Sequence, residues 1–510
     1  MNGADVGEKH GSTALIRLPA ELIQHVFSYL EPWDLANVSQ TCKPLQQHSN
    51  DDQIWQPLVN RNLPIPTAHP GPLSSFRDLY VAHHPHWFLP KQRIWFADTE
   101  PSGKLLISRY NARTGCIEAF AVTATRGHHT LEFWEKDREV IIHSFNPKVA
   151  LDMNQPVLKL SVDRPNTDDQ SNHNPSDRAY APTFRHSKEV LMETFAEAGL
   201  YSSFMLCRTL PESAITENTQ VWPPLRFTAK GRARTQSRDG FQSAGHRPSC
   251  LDDISEHNFR LRKWVEYTGR RASPKLMSFT SPNGLAAALG ITGPYYSAEA
   301  SGMGGMSIRL PEDITTYATL PAETYTPTPS KPWQGIWCGD YSGHGCEFLV
   351  IRQPDRHEEL PLPRGMDWLR AWFKGGRRRG SDESESSYAS AQEEIDYAEA
   401  ARERAGASEL YDDMESRTEA TTSESSDWYQ RTASASSSDG SDAPSGRIEA
   451  IKLTGDPNIP RGEYTFIAPD IGHSGFVRVA DEEIFRGARV VRSAGHIAGR
   501  GFLSGRLPYL

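Results

Sequence analysis

The chain has 510 residues, 37% of them hydrophobic, and a formal net charge of −9. A fully packed protein carries roughly 45 to 50% apolar residues, so part of this chain is predicted to stay unfolded while two or three domains share the rest. The charge shows no concentrated basic face, which argues against nucleic acid as a partner, and no apolar run approaches the ~20 residues that cross a bilayer, which argues against a membrane. The six cysteines, Cys42, Cys116, Cys207, Cys250, Cys338 and Cys346, lack framework spacing, and no charged-then-apolar leader precedes them. A reducing compartment is predicted, cytoplasmic or nuclear.

Residues 1–14 are polar and Gly-rich and are predicted to be disordered. Next, Leu22, Ile23, Val26, Phe27 and Leu30 recur at helical spacing and share one stripe. Leu35, Val38, Cys42 and Leu45 repeat the pattern after Pro32, a residue suited to a first helical turn. A third short helix is expected from Asp52 to Asn62, bearing Ile54, Trp55 and Leu58. Three helices this short cannot enclose so much apolar surface, since a unit below about 40 to 50 residues is marginal alone. One side should therefore remain available to a partner.

These residues carry a resemblance. Leu18-Pro19-Ala20-Glu21-Leu22, the Leu30 to Leu35 link, Val38-Ser39-Gln40-Thr41-Cys42 and Ile54-Trp55 stand in the order and spacing of an F-box, over residues 15–63. The resemblance implies contacts to the Skp-type adaptor of an SCF ubiquitin ligase from Leu18, Pro19, Leu22, Ile23, Val26, Leu30, Leu35, Val38, Cys42 and Trp55. Through that adaptor it implies cullin and RING subunits as further partners.

Residues 64–84 read as a linker with a short helix around Phe76–Val81. From residue 85 the pattern changes to brief runs rich in β-branched and aromatic residues: Ile94–Phe96, Leu105–Ile107, Ile117–Val122, Leu131–Trp134 and Val140–Phe145. Turn signals such as Pro101-Ser102-Gly103 separate them, as in an antiparallel barrel or sandwich. Polar loops are expected at about 161–184 and 229–250, and a helix at Lys188–Ala198. Strand character returns at Phe259–Tyr267, Tyr317–Leu320, Gly335–Ile351, Ile448–Leu453, Tyr464–Ile467 and Phe476–Val479. The expected fold class is α+β: a three-helix F-box, then a mainly antiparallel β-barrel-like domain spanning 85–374 and 447–510. The intervening 375–446 reads as a disordered insert. Residues 381–446 alone hold 16 serines and 17 acidic residues against four arginines, a composition that cannot bury enough surface to fold.

In Pro332–Phe348, Trp337, Gly339 and Tyr341 alternate on one face of a strand, and Gly343 and Gly345 permit a bulge or a close backbone approach. Trp337, Tyr341, His344 and Glu347 are candidate substrate-binding residues. This block, with Thr454–Glu463, His83–Leu89, Ile94–Phe96 and Gly495–Phe502, resembles the family of F-box only protein thirty-one and its fungal relatives, in order from residue 15 to 503. The resemblance implies a β-barrel that holds substrate proteins, cyclin D and chain ends among them in the animal member. That family continues past its Ile-Ala-Gly-x-Gly-Phe block, whereas this sequence stops at Leu510, which is expected to leave the barrel incomplete or to mark a truncated gene model.

Other chemistry finds less support. Cys338, His344 and Cys346, or His83, His84 and His86, lack the paired spacing of a structural zinc site. No nucleophile elbow or phosphate-cradling glycine loop occurs, so neither metal, cofactor nor catalytic residue is expected. Two basic stretches, Lys230–Arg234 and Arg377–Arg379, read as solvated loops. Ser390, Ser416, Thr421 and Ser436 each have an acidic residue three positions on, as acid-directed kinases require. The reading is a non-catalytic receptor that recruits a protein substrate for ubiquitination and proteasomal degradation. The alternatives are an F-box scaffold outside the ligase and a lipocalin-like carrier of small molecules, since a Gly-x-Trp strand also opens such barrels.

Overall fold

The computed structural model describes residues 14–99, 103–125, 129–134, 137–145, 147–162, 185–192, 200–216, 219–268, 307–309, 313–340, 345–355, 444–455, 459, 461–481, 485–497 and 501–509. Residues 375–443 of the predicted insert and residues 163–184 of the predicted loop at about 161–184 lie outside them. The chain forms two compact units: residues 1–123, 149–324 and 453–462 make the first, and 124–148, 325–452 and 463–510 the second.

The first unit opens with a 3-10 turn, Ala14–Arg17, and helices α1 (Ala20–Phe27), α2 (Pro32–Ser39), α3 (Lys43–Ser49) and α4 (Asp52–Asn60). Pro32 occupies the first turn of α2, as its fixed φ favours. The stretch expected to be one helix through Leu45 is instead two. Pro44 has no N–H, and its ring would strike the Gln40 carbonyl of a continuous helix, so Cys42 turns extended (φ −159°, ψ 160°) and α3 starts afresh. The Asp51 side chain caps α4 by accepting from the Gln53 N–H at 2.9 Å. Ile23, Phe27, Leu35, Ile54, Trp55, Leu58 and Val59 form a core that α5 (Phe76–His83) completes with Phe76 and Leu79, joined by Trp87 at the entry of α6 (Phe88–Gln92).

The strands of this unit are β1 (Ile94–Ala97), β2 (Leu105–Asn111) and β3 (Cys116–Thr125); the hairpin β4 (His129–Trp134) and β5 (Asp137–Phe145) that follows falls in the second. Next come β6 (Lys148–Leu151), β7 (Leu158–Leu160), β8 (Val190–Met192), β9 (Leu200–Arg208), β10 (Val221–Trp222), β11 (Ala233–Arg234), β12 (Ile254–Thr268), β13 (Ser307–Arg309) and β14 (Asp313–Ala318). An antiparallel half-barrel runs β6-β3-β2-β1-β14-β12-β9-β8, with β7 and β13 branching from it, while β10 and β11 form a separate short ladder. Trp95, Leu106, Ile117, Phe204, Phe259 and Tyr317 line one buried face. Phe96 packs against Trp222 and Phe227 on the other.

The helix expected at Lys188–Ala198 is strand β8 where it is described, at Val190–Met192. Val190 and Met192 pair with Phe204 and Ser202 of β9, so a tertiary ladder overrides helical propensity. The predicted polar loop at 229–250 contains β11 and is pinned by buried Phe241 and His246.

In the second unit β15 (Gly335–Asp340), β16 (Cys346–Arg352), β17 (Ile448–Lys452), β18 (Tyr464–Ala468), β19 (Phe476–Val479), β20 (Arg489–Ile497) and β21 (Gly501–Tyr509) form another antiparallel half-barrel, ordered β15-β16-β17-β18-β20-β19 with β21 on β20. Ile351, Ile448, Ala450, Ala468, Ile471 and Val491 make its apolar core. The fold is thus α+β, with antiparallel strands throughout the described ladders.

Candidate functional site

Helix α1 is apolar on two sides. Ile23 and Phe27, four residues apart, point inward and are each 2% exposed. Leu22 and Val26, also four apart, lie one position earlier on the helix and are 50% and 45% exposed. Leu18 continues this outer stripe toward the chain start and Tyr29 toward the α1–α2 connection, where Trp33 also stands exposed; Leu15 and Ile16 add apolar surface ahead of the helix. A contiguous apolar ridge on a small helical module is an interaction surface, because its side chains gain from leaving water only when something else covers them.

Two side-chain links hold the ridge in place. Gln24 Nε2 donates to Asp51 Oδ2 at 2.7 Å, fixing α1 against the start of α4. Arg61 Nη2 meets Glu31 Oε2 at 2.8 Å and ties the connection beside Trp33 to the end of α4. The carboxyl of Glu31 is held below its ordinary range, chiefly by the hydrogen bond from Arg61 and then by that guanidinium's charge.

The ten residues expected to contact an adaptor divide by burial. Leu18, Pro19, Leu22 and Val26 are exposed; Leu30, Val38 and Cys42 are half-buried; Ile23, Leu35 and Trp55 lie in the module's own core. Trp55 Nε1 donates to the Ser49 carbonyl at 2.6 Å inside that core, so its placement braces the helices. Sequence reasoning missed Leu15, Ile16, Tyr29 and Trp33. The available signal was the width of apolar coverage around α1, which exceeds the stripe that a single core contact needs.

The second candidate region is the edge of the β15–β16 pair. Trp337 is 44% exposed, and its Nε1 donates to the Trp333 carbonyl at 3.2 Å. A Cβ on Gly335 would stand 3.0 Å from Trp337 Nε1, so glycine gives the indole its room. Register places Trp337 opposite Leu349 and Gly339 opposite Glu347, with Leu349 opposite Lys452 on the far side. Trp337 and Glu347 therefore share a face. Glu347 is 4% exposed and pairs with the wholly buried Lys452 at 2.5 Å. Tyr341 and His344 lie outside the described residues.

On the opposite face of the same strands, Arg352 Nε meets Glu449 Oε2 at 2.9 Å and Arg447 Nη2 meets Glu449 Oε1 at 2.7 Å, all three buried. The interior of this sheet is thus built on compensated charge as well as on apolar contacts.

The histidines considered as metal ligands make other contacts. His83, 1% exposed, lies within 2.8 Å of the Gly115 carbonyl through Nε2, which donates, and its ring meets Trp87 and Tyr110 edge-on. Burial pushes it down to about 4, so it is neutral. His84 stacks on Tyr80, and His86 meets Phe204 edge-on. No group of three His, Cys, Asp or Glu is arranged to hold a metal among the described residues, and none of their helices is long and apolar enough to cross a membrane.

The class defined by this geometry is a helical docking module joined to antiparallel sheets. Comparison with protein families gives it a narrower description: residues 15–61 match an F-box-like domain and residues 317–507 match the Cyclin D1 binding domain. No curated protein matches the chain. The chain therefore carries an F-box-like domain, and its exposed ridge lies within it.

Proposed function

We propose that this protein is the substrate-recognition subunit of an SCF-type E3 ubiquitin ligase. The observation that carries the reading is the ridge Leu18, Leu22, Val26, Tyr29 and Trp33, exposed on an F-box-like domain whose core is already complete without it. A Skp-type adaptor covers that ridge, and cullin and RING subunits follow through the adaptor. The β-sheet units hold a protein target, which is ubiquitinated and degraded by the proteasome. The contribution to catalysis is proximity: target lysines are concentrated near a thioester carried by another subunit, which needs no acid, base or metal here. Cytoplasm and nucleus are the compartments where this assembly would act.

The match of residues 317–507 to the Cyclin D1 binding domain supports a folded protein as the target and makes a D-type cyclin the first to try. Trp337, at the exposed rim of that region, is our candidate contact, with Tyr341 and His344 close in sequence; Glu347 serves from beneath by fixing Lys452. The test is co-purification from cells with and without proteasome inhibition. Adaptor and cullin should both be recovered with the intact chain, and a ubiquitinated target should accumulate under inhibition. Adaptor recovered without cullin would instead describe a scaffold outside the ligase.

A further inference from the structure

Six thiols are spread through the chain, and four of them stand apart from any other. Cys207 is wholly buried, and burial pushes its thiol up to about 11. Cys116 is buried as well, and its Sγ donates to the Thr114 carbonyl at 3.4 Å. Cys42 precedes α3 and Cys250 precedes the 3-10 turn Leu251–Asp253, so neither lies on a strand. Cys338 and Cys346 differ. They occupy neighbouring strands of the second unit, β15 and β16, and both are half-buried.

The ladder sets Cys338 opposite Phe348, and Asp340 opposite Cys346 as its last pair. Residues two apart on a strand share a face, as do residues directly opposite, so both thiols project from the same side of the sheet. Further along, that side is closed by buried Phe348 and Val350; the thiols stand at its margin, where a small oxidant reaches them. They are diagonal neighbours. The right-handed twist of a strand pair swings a residue of the first strand toward the partner residue on the turn side, which makes this the shorter diagonal. Diagonal Cα atoms stand about 7–8 Å apart before that twist is counted, and a disulfide needs about 4.4–6.8 Å, so closure takes a shear of about 1 Å. The start of β16 can supply it. Gly345, just ahead of Cys346, holds a left-handed φ of 89°, and a Cβ there would meet nothing within 4 Å. One residue further on β16 is anchored, because Glu347 pairs with buried Lys452.

We propose that Cys338 and Cys346 form a peroxide-sensitive dithiol that closes into a reversible disulfide across β15 and β16. One thiolate attacks hydrogen peroxide: the O–O bond breaks, the sulfur gains an oxygen as a sulfenic acid, and hydroxide is released. The second thiolate attacks that sulfur, the S–S bond forms, and a second hydroxide leaves. Each hydroxide takes up a proton lost by a thiol, so two thiols and one peroxide become one disulfide and two waters, with two electrons passing from sulfur to oxygen. In a reducing compartment such a bond is transient, and a dithiol reductant reopens it. Trp337, next to Cys338 on the other face, lies on the strand that the oxidised form pins. The bond itself stands on strand register and does not depend on what Trp337 touches.

The experiment takes the full chain, reduces it, removes the reductant and exposes it to hydrogen peroxide. Remaining thiols are then alkylated and the chain is cut with chymotrypsin, which cleaves after Tyr341, between the two cysteines. Mass spectrometry should find the Cys338 and Cys346 peptides joined, about tenfold more abundant than any other cysteine pair, because their proximity makes the second step intramolecular. Treatment with dithiothreitol should return both thiols. Cys346→Ser should leave Cys338 as a sulfenic acid that dimedone traps, whereas Cys250→Ser should leave the link intact. The unsubstituted chain alone decides the matter. Two alkylated thiols after peroxide overturn the proposal, as do dimedone adducts on both cysteines or linkage of either to a different cysteine; a link that dithiothreitol cannot open overturns its reversibility.

Discussion

The helical module and the seven-stranded sheet solve opposite problems. In the module, the interior is apolar and so is part of the exterior, with Leu22, Val26, Tyr29 and Trp33 left in water. In the sheet, β16 and β17 carry Glu347, Arg352, Glu449 and Lys452 into the interior, with Arg447 just ahead of β17, and each is paired. Exposed apolar surface lowers its free energy by gaining a partner, so it specifies association. A buried ion pair adds little net stability but makes loss of either member costly, so it specifies one arrangement of strands.

The largest effect should come from the ridge. Leu18→Asp with Leu22→Asp and Val26→Asp should abolish adaptor co-purification while the thermal midpoint stays put, since all three side chains are already solvated; a folded variant that still captures the adaptor would sink the assignment. In the sheet, Glu449→Ala strands two buried guanidiniums and should cost about 3 to 5 kcal/mol in urea unfolding. Replacing Arg352, Arg447 and Glu449 together by apolar residues should cost far less, and an equal loss would mean that the charges stabilise by more than mutual compensation. A third, smaller effect separates the regions by pH. The depressed pKa of His83 means that stability is complete above its ordinary value near 6.5 and is lost as pH falls toward about 4, by up to roughly 3 kcal/mol. His83→Gln should reduce that slope in pH-dependent unfolding without removing it, because burial pushes His86 down to about 3 as well. Least affected should be Arg61→Ala, which removes an exposed ion pair and should change stability by about 1 kcal/mol or less, while loosening Trp33 enough to weaken adaptor binding in calorimetry.

Much of the fold was legible where period and punctuation agree. Helices α1 and α4 follow from their apolar repeats, α2 begins at Pro32, and β1, β2 and β3 each contain one of the short β-branched and aromatic runs between turns and extend beyond it. The division of α2 from α3 was legible too, in Pro44, but the apolar repeat across it outweighed that signal. β8 was not legible, because residues suited to a helix were claimed by pairing with β9. The candidate sites divide the same way. A motif names residues without saying which way each side chain faces, so Ile23, Leu35 and Trp55 stood beside Leu22 and Val26 until burial separated core from ridge. In the β17 sequence Ile448-Glu449-Ala450-Ile451-Lys452 the charged Glu449 and Lys452 fall on opposite faces, and nothing in the sequence shows that both are buried. Both faces are covered, which only long-range pairing decides.

The helical core borrows Phe76, Leu79 and Trp87 from beyond the motif, and His83 fastens α5 to the turn before β3. The docking module is therefore continuous with the ten-stranded sheet instead of hanging from it on a tether. Whatever seats on the ridge takes hold of a lever whose far arm is that sheet, and the reach from one to the other is set by packing and not by the slack of a linker.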